Sequence, residues 1–431
     1  MSGAPARPAA RRWPPAWLRP RLHQRARPRD PLVRPLPYPF LGAVALSNDI
    51  EFTSFALFEA LMAFMNSRGP TPLGPGLGLE VASSLFFYSA HPYTFSYFQG
   101  TAADAPPGPH AARLGEYLRA GWIDTNHAYG DFDFTGGCTR AHAARALETL
   151  ARQGVTLDVF TNHGTEHNTQ NIGADAPYHR GDVPGDPAWH ADLLRQAGCR
   201  FVWTDSLKVD RTPPRGLENR LRTLASDMLG LVDPARRTPR EVLRPLALQD
   251  GGPMTGFIRV AGTGENAPNL GNMGQQLARL GLRRLYSGWG VAVLYQHLGV
   301  AVRQAGRCHA AEVAALARDP RPLEPLRELA READAGRLWV AGTARLLRYL
   351  EMIARVTVRP AGPGVLDVDP GPGADASDPQ AALQGLTIFV PDATTTLRLR
   401  GRELAVTRNG PDARGRHSVS IPLRKPEDIW T

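Results

Sequence analysis

Seven short apolar runs, at 41–46, 84–88, 121–125, 155–161, 200–203, 256–260 and 290–295, punctuate the chain, each followed by polar or glycine-rich residues. Helical patterns separate them at 53–66, 110–119, 139–153, 187–197 and 269–286, and two more follow at 309–331 and 342–355. Runs this short and rich in Val, Ile, Leu and Phe suit strands buried on both faces. Such strands alternating with helices specify a parallel sheet, because a parallel pair needs a long crossover. The predicted fold class is therefore α/β: a distorted (β/α)7-type parallel barrel over residues 40–356, with a small C-terminal all-β domain. After Arg359-Pro360 a Gly/Pro/Asp linker leads into LTIFVP, TTTLRLRG, RELAVTRN and HSVSIPL. Their alternation predicts antiparallel strands, so 357–431 reads as linker and small β-sandwich.

Charge excludes several functions. The formal net charge is +9, yet residues 1–36 hold nine arginines against one acid, Asp30. The remaining body is nearly neutral and has no field to draw nucleic acid. Ten prolines between Pro5 and Pro39 forbid a helix there, so 1–39 reads as a disordered Arg/Pro-rich tail. That tail lacks the apolar stretch of about 7–15 residues found in a signal peptide. No apolar run approaches the roughly 20 residues of a membrane span. Cys138, Cys199 and Cys308 lie far apart without CxxC, which excludes a disulfide framework and a Cys-based zinc knuckle. A reducing cytoplasm is the expected compartment.

The polar residues collect just after the apolar runs, where parallel barrels carry their active sites. Ser47-Asn48-Asp49-Ile50-Glu51 follows the first run, and Asn126-His127-Ala128-Tyr129-Gly130-Asp131 follows the third. Thr161-Asn162-His163-Gly164 follows the fourth and Trp203-Thr204-Asp205 ends the fifth. The sixth carries Arg259, and the seventh ends in Tyr295-Gln296-His297. Asp49 or Glu51, with His127 and Asp131, supplies the three ligands that a catalytic divalent ion takes beside an open position. Such an ion lowers the pKa of its water from about 15.7 toward about 7. A second carboxylate would take the proton, and His297 would protonate the leaving group. His163 and His167 form a rival pair four apart, but Gly164 argues for a loop, with substrate-facing polar contacts or a satisfied loop histidine network the expected role. GTGENA at 262–267 is followed by Pro268, which argues against a phosphate-binding helix.

Taken in order, SNDIE, SSLFFYS, TNHAYGD, FTNHG, VWTD and LYQHLG resemble the strand-end motifs of the NodB-type polysaccharide deacetylases, over roughly residues 41–300. The resemblance implies a metal-dependent hydrolase that removes acyl groups from a polysaccharide or cell-surface glycan, with zinc or another transition metal as cofactor. It implies Asp49 as base, His297 as acid, and Asp49, Glu51, His127 and Asp131 as the pool of metal ligands. Asn162, His163, Trp203, Asp205 and Arg259 are then substrate-binding. The family's aspartate pair corresponds either to Asn48-Asp49, which would lose the base, or to Asp49-x-Glu51, which keeps both roles and is preferred. Asp131 stands where the family has a second histidine, a harder ligand that tilts the site away from zinc alone. The family's Arg-Pro-Tyr turn is replaced by Asn162-His163-Gly164, and Arg259 is the candidate anion-stabilising group in its stead. The alternative is a catalytically silent barrel that binds a glycan or a biosynthetic partner.

Overall fold

The computed structural model describes residues 23–89, 91, 93–133, 137–207, 241–261, 268–299, 309–372, 380–392, 394–412 and 415–430. Its largest feature is a mixed but mostly parallel sheet. Seven of its strands match the seven apolar runs: β1 (Gly42–Asn48), β2 (Ser83–Leu85), β3 (Ile123–His127), β4 (Val159–Thr161), β5 (Phe201–Leu207), β6 (Pro253–Val260) and β7 (Gly290–Gln296). Each pairs in parallel with the next in this order. β7 also pairs with β1 over six registered positions, Val291–Ala43 through Gln296–Asn48, so the pairings return to their first strand.

An eighth strand, β8 (Leu338–Ala341), adds to β1 in parallel; nothing in the seven-run pattern anticipates it. Two short additions run antiparallel, Gln24–Arg25 on β7 and Leu243–Ala247 on β6.

Helices fill the crossovers. α1 (Phe55–Asn66) begins where the Ser54 hydroxyl accepts the Leu57 N–H at 3.2 Å, satisfying one free donor of the first turn. α2 (Ala111–Ala120), α3 (Arg140–Arg152) and the short α4 (Ala191–Gln196) follow. The pattern at 269–286 is two helices, α5 (Leu270–Leu280) and α6 (Leu282–Ser287), because Gly281 turns left-handed at φ +70°. Asp319-Pro320 likewise divides 309–331 into α7 (His309–Arg318) and α8 (Glu324–Asp334). α9 (Thr343–Ile353) closes the series. Among the described residues no helix is long and apolar enough to cross a membrane.

Strand residues alternate between two apolar clusters, as the period of two requires. Val44, Leu46, Phe160, Val202, Val260, Ala292 and Leu294 pack with α1, α2, α5 and α8. Ala43, Ala45, Val159, Phe201, Phe257, Val291 and Val293 face the other way and share a cluster with α9 and the C-terminal strands. Those strands form two small sheets. β9 (Thr357–Gly362), β10 (Val365–Asp369), β12 (Thr396–Leu399) and β13 (Arg402–Glu403) make one, and β11 (Thr387–Val390), β15 (His417–Ser420) and β14 (Thr407–Asn409) the other. The expectation of purely antiparallel strands is corrected at one pair, since β10 and β12 run parallel.

The expected disordered tail also differs. Residues 1–22 lie outside the described residues, but 23–39 are packed: Ala26, Val33 and Leu36 are buried. Buried Arg34 donates to the carbonyls of Leu36, Pro37 and Pro39. Proline forbids a helix, but an extended chain can still pair its backbone, as Gln24–Arg25 does with β7.

Candidate metal centre

The second face of the sheet turns polar toward the C-terminal strand ends. On β1 the side of Ala43 and Ala45 continues through Ser47 to Asp49 and Glu51. Asn48 faces away: its amide donates to Ser83 Oγ at 2.9 Å and its carbonyl accepts the Leu298 N–H at 3.0 Å, tying β1 to β2 and the end of β7. Asp49 and Glu51 therefore share the site, and Asn48 braces its rim.

Glu51 is the hub. Its Oε1 lies 3.0 Å from His163 Nδ1 and 3.5 Å from His127 Nε2, and its Oε2 lies 3.5 Å from His297 Nε2. Two atoms bound about 2.1 Å from one tetrahedral ion stand about 3.4 Å apart, so these separations fit a shared cation. Glu51, His127 and His163 can converge on one ion, and so can Asp49, Glu51 and His297. Asp131 is not within the His127 set; its Oδ1 sits 3.6 Å from His163 Nε2, behind that ring. His167 is exposed and belongs to none of these groups.

Local backbone holds each ligand in place. After His127 the chain takes two left-handed residues, Ala128 at φ 46° and Tyr129 at φ 58°. Non-glycine residues rarely adopt this conformation, and it persists where surroundings enforce it. Here Asn126 Oδ1 accepts the Tyr129 N–H at 3.1 Å, and the Tyr129 carbonyl accepts the N–H groups of Phe87 and Tyr88. The turn delivers Asp131 beside Ser89, and a Cβ on Gly130 would lie 2.2 Å from the Tyr88 carbonyl oxygen. His163 is fixed by Asn171, which accepts its N–H and donates to its carbonyl. Asn162, expected to touch substrate, instead exchanges two hydrogen bonds with the Ile172 backbone. Phe86 stacks on His127 at 4.6 Å.

Asp49 meets Arg259. Nη1 donates to both Asp49 oxygens at 2.9 Å and to Ser47 Oγ at 3.2 Å, with the arginine 0% and the aspartate 1% exposed. The guanidinium carbon lies 3.9 Å from the Trp203 ring centre and 3.8 Å from that of Tyr295. Trp203 thus has a cation on its face. Asp205 comes after a bulge in β5, which shifts register between Trp203 and Asp205. The Tyr295 hydroxyl is 3.3 Å from His297 Nε2.

Electrostatics sort the histidines. Burial works against charge on His163, but the Asp131 and Glu51 carboxylates outweigh it and push its pKa up to about 10. Burial wins at His127 over Asp49 and Glu51, so its pKa is lowered. At His297 the burial cost is overcome by Glu51 and Asp49, and its pKa is raised. Burial also opposes ionisation of Glu51, yet the surrounding histidines hold its carboxyl well below the usual range. Glu51 Oε2, His127 Nδ1, His163 Nε2 and His297 Nδ1 are buried without a hydrogen-bond partner among the described residues. Of these, only Glu51 Oε2 belongs to the hub; His127 Nδ1, His163 Nε2 and His297 Nδ1 are the ring nitrogens opposite those that approach Glu51.

The sequence pattern missed the partnership of His163 with Glu51, 112 positions apart. His163 stands two residues beyond the end of β4, which marks it as a strand-end residue but does not name its partner. No protein-family model matches the chain, and no curated protein matches it.

Proposed function

We propose that the chain is a metal-dependent hydrolase of the polysaccharide deacetylase type, which removes acyl groups, acetyl first among them, from a polysaccharide or cell-surface glycan. The closed circuit of parallel pairings is read as a distorted β/α barrel and the two small sheets as an appended β-sandwich. The observation that carries the reading is Glu51 Oε1 standing 3.0 and 3.5 Å from one nitrogen each of His163 and His127, at the C-terminal strand ends. Glu51, His127 and His163 are the proposed ligands of zinc or another transition metal. Asp131 orients His163 from behind, as carboxylates commonly do for ligating histidines.

The bound ion would supply Lewis acidity, polarising the acyl carbonyl and acidifying water. Asp49, held by Arg259 and Ser47, takes the proton from the attacking water. His297 returns a proton to the departing amine or hydroxyl. The second reading, a barrel that binds glycan without turnover, draws on the same ion pair, because a carboxylate engaged by a guanidinium at both oxygens is a weakened base.

Elemental analysis is the first test. The wild type should carry about one divalent ion per chain, and His127→Ala and His163→Ala should lose it. Chelator-sensitive acetate release from acetylated glycans would then follow, whereas retention of the glycan without release favours the second reading. A wild-type chain still empty after metal is supplied overturns the hydrolytic reading.

A further inference from the structure

We propose that the unengaged edge of Arg259 is a receptor for a carboxylate beside the metal centre. Arg259 is fully buried, and Nη1 alone accounts for its bonds to Asp49 and Ser47. Nε and Nη2 have no hydrogen-bond partner among the described residues. Trp203 and Tyr295, with ring centres 5.9 Å apart, lie against the guanidinium and fix its plane, but their faces offer no lone pair to its N–H groups. Three N–H bonds of a buried cation are thus left in the fork arrangement that matches two oxygens of one oxyanion.

The class of anion follows from the proposed reaction, on which this inference rests. Hydrolysis of an ester or amide at the proposed metal centre turns a neutral acyl group into a carboxylate beside Asp49 and Glu51. Nη1 of Arg259 is bonded to Asp49, so the free edge of the same guanidinium is the nearest unpaired cationic donor set on that residue. An acidic sugar would present the same group from the substrate side. The shared chemistry is a carboxylate taken in bidentate fashion.

The test titrates metal-free protein with sodium acetate and with sodium glucuronate, against sodium chloride at equal ionic strength, by calorimetry and tryptophan fluorescence. Metal-free protein removes the ion as a competing acceptor. Saturable binding with a fluorescence change is expected. Trp203→Phe should abolish that change while calorimetric binding persists, because Trp203 reports on the guanidinium. Arg259→Lys keeps the charge without the fork and should weaken binding at least about tenfold. Acetate binding alone identifies the released acid as the ligand; tighter glucuronate binding identifies an acidic sugar.

Equal effects of chloride and acetate overturn the proposal, as does an unchanged fluorescence response in Trp203→Phe, which needs no folded lysine variant. A wild type that holds metal but ignores both carboxylates removes the receptor and leaves the hydrolase reading standing. A wild type that binds acetate but never metal does the reverse.

Discussion

A guanidinium at zero exposure persists only where something offsets its desolvation, and at Arg259 that partner is Asp49. Removing one member of a buried ion pair strands the other charge, at a cost of about 3–5 kcal/mol, whereas removing both is often nearly neutral. Arg259→Met should therefore destabilise by about that amount in urea denaturation. The double variant Asp49→Asn with Arg259→Met should recover most of the loss. Strictly additive losses would mean the two do not compensate each other, and Asp49 would have to be read as a free base. At this scale the sequence was readable through parity: Ser47 on β1 and Asp49 just beyond its end meet the same Arg259, while Asn48 between them turns to Ser83. Which histidine meets Glu51 was not readable, because that contact depends on how β3 and β4 pair with one another, and i,i+4 spacing pointed to local partners instead.

The connection from β4 to α4 shows how an irregular element is made rigid enough to aim His163. Asn171 brackets His163, Asp182 accepts the N–H groups of Gly173 and Gln249, and His190 closes the segment. His190 Nε2 donates to the Gln170 carbonyl at 2.7 Å, and Nδ1 accepts the Tyr129 hydroxyl at 3.3 Å. Complete burial, only partly offset by the Gln170 contact and by Asp182 and Asp192, lowers its pKa to about 4. The unfolded chain takes up a proton below about pH 6.5 that the folded chain refuses until about pH 4. Stability is thus full above 6.5 and falls as the pH drops through that window, by about 3 kcal/mol at its acid end. His190→Gln should be less stable at pH 8 but lose about one proton's worth of slope between pH 6.5 and 4. An unchanged slope would show that other groups govern acid unfolding. The regular elements were far more legible than this loop, since seven apolar runs announce seven strands. β8 was not, because LWVA is bounded by Gly336 and Gly342 and lies between two strong helical patterns.

At the scale of the whole molecule, segments outside the alternating pattern hold the parts together. Residues 23–39 run from β7 to the C-terminal sheets. Gln24–Arg25 extends the sheet at Gly290 and Val291, on the strand that ends in Tyr295 and His297. Asp30 accepts the Val358 N–H at 2.8 Å, the Arg34 N–H donates to the Thr387 carbonyl, and Val33 bridges to Ile388. The far end of the chain is tied down too: Trp122 Nε1 donates to the Glu427 carbonyl and Trp430 Nε1 to the Tyr117 hydroxyl. Val33 and Leu36 are each buried, at about 1.5–3 kcal/mol apiece. A chain beginning at Leu41 should therefore unfold at a lower temperature than one beginning at His23, by a loss of about 3–6 kcal/mol from those two side chains. Loss of Asp30 and Leu32 as acceptors should register as faster amide exchange at Val358 and Phe389. Equal melting and equal exchange would reduce the segment to a passive extension, and the C-terminal sheets would then have to hold to the larger sheet through α9 and the ties of residues 425–430.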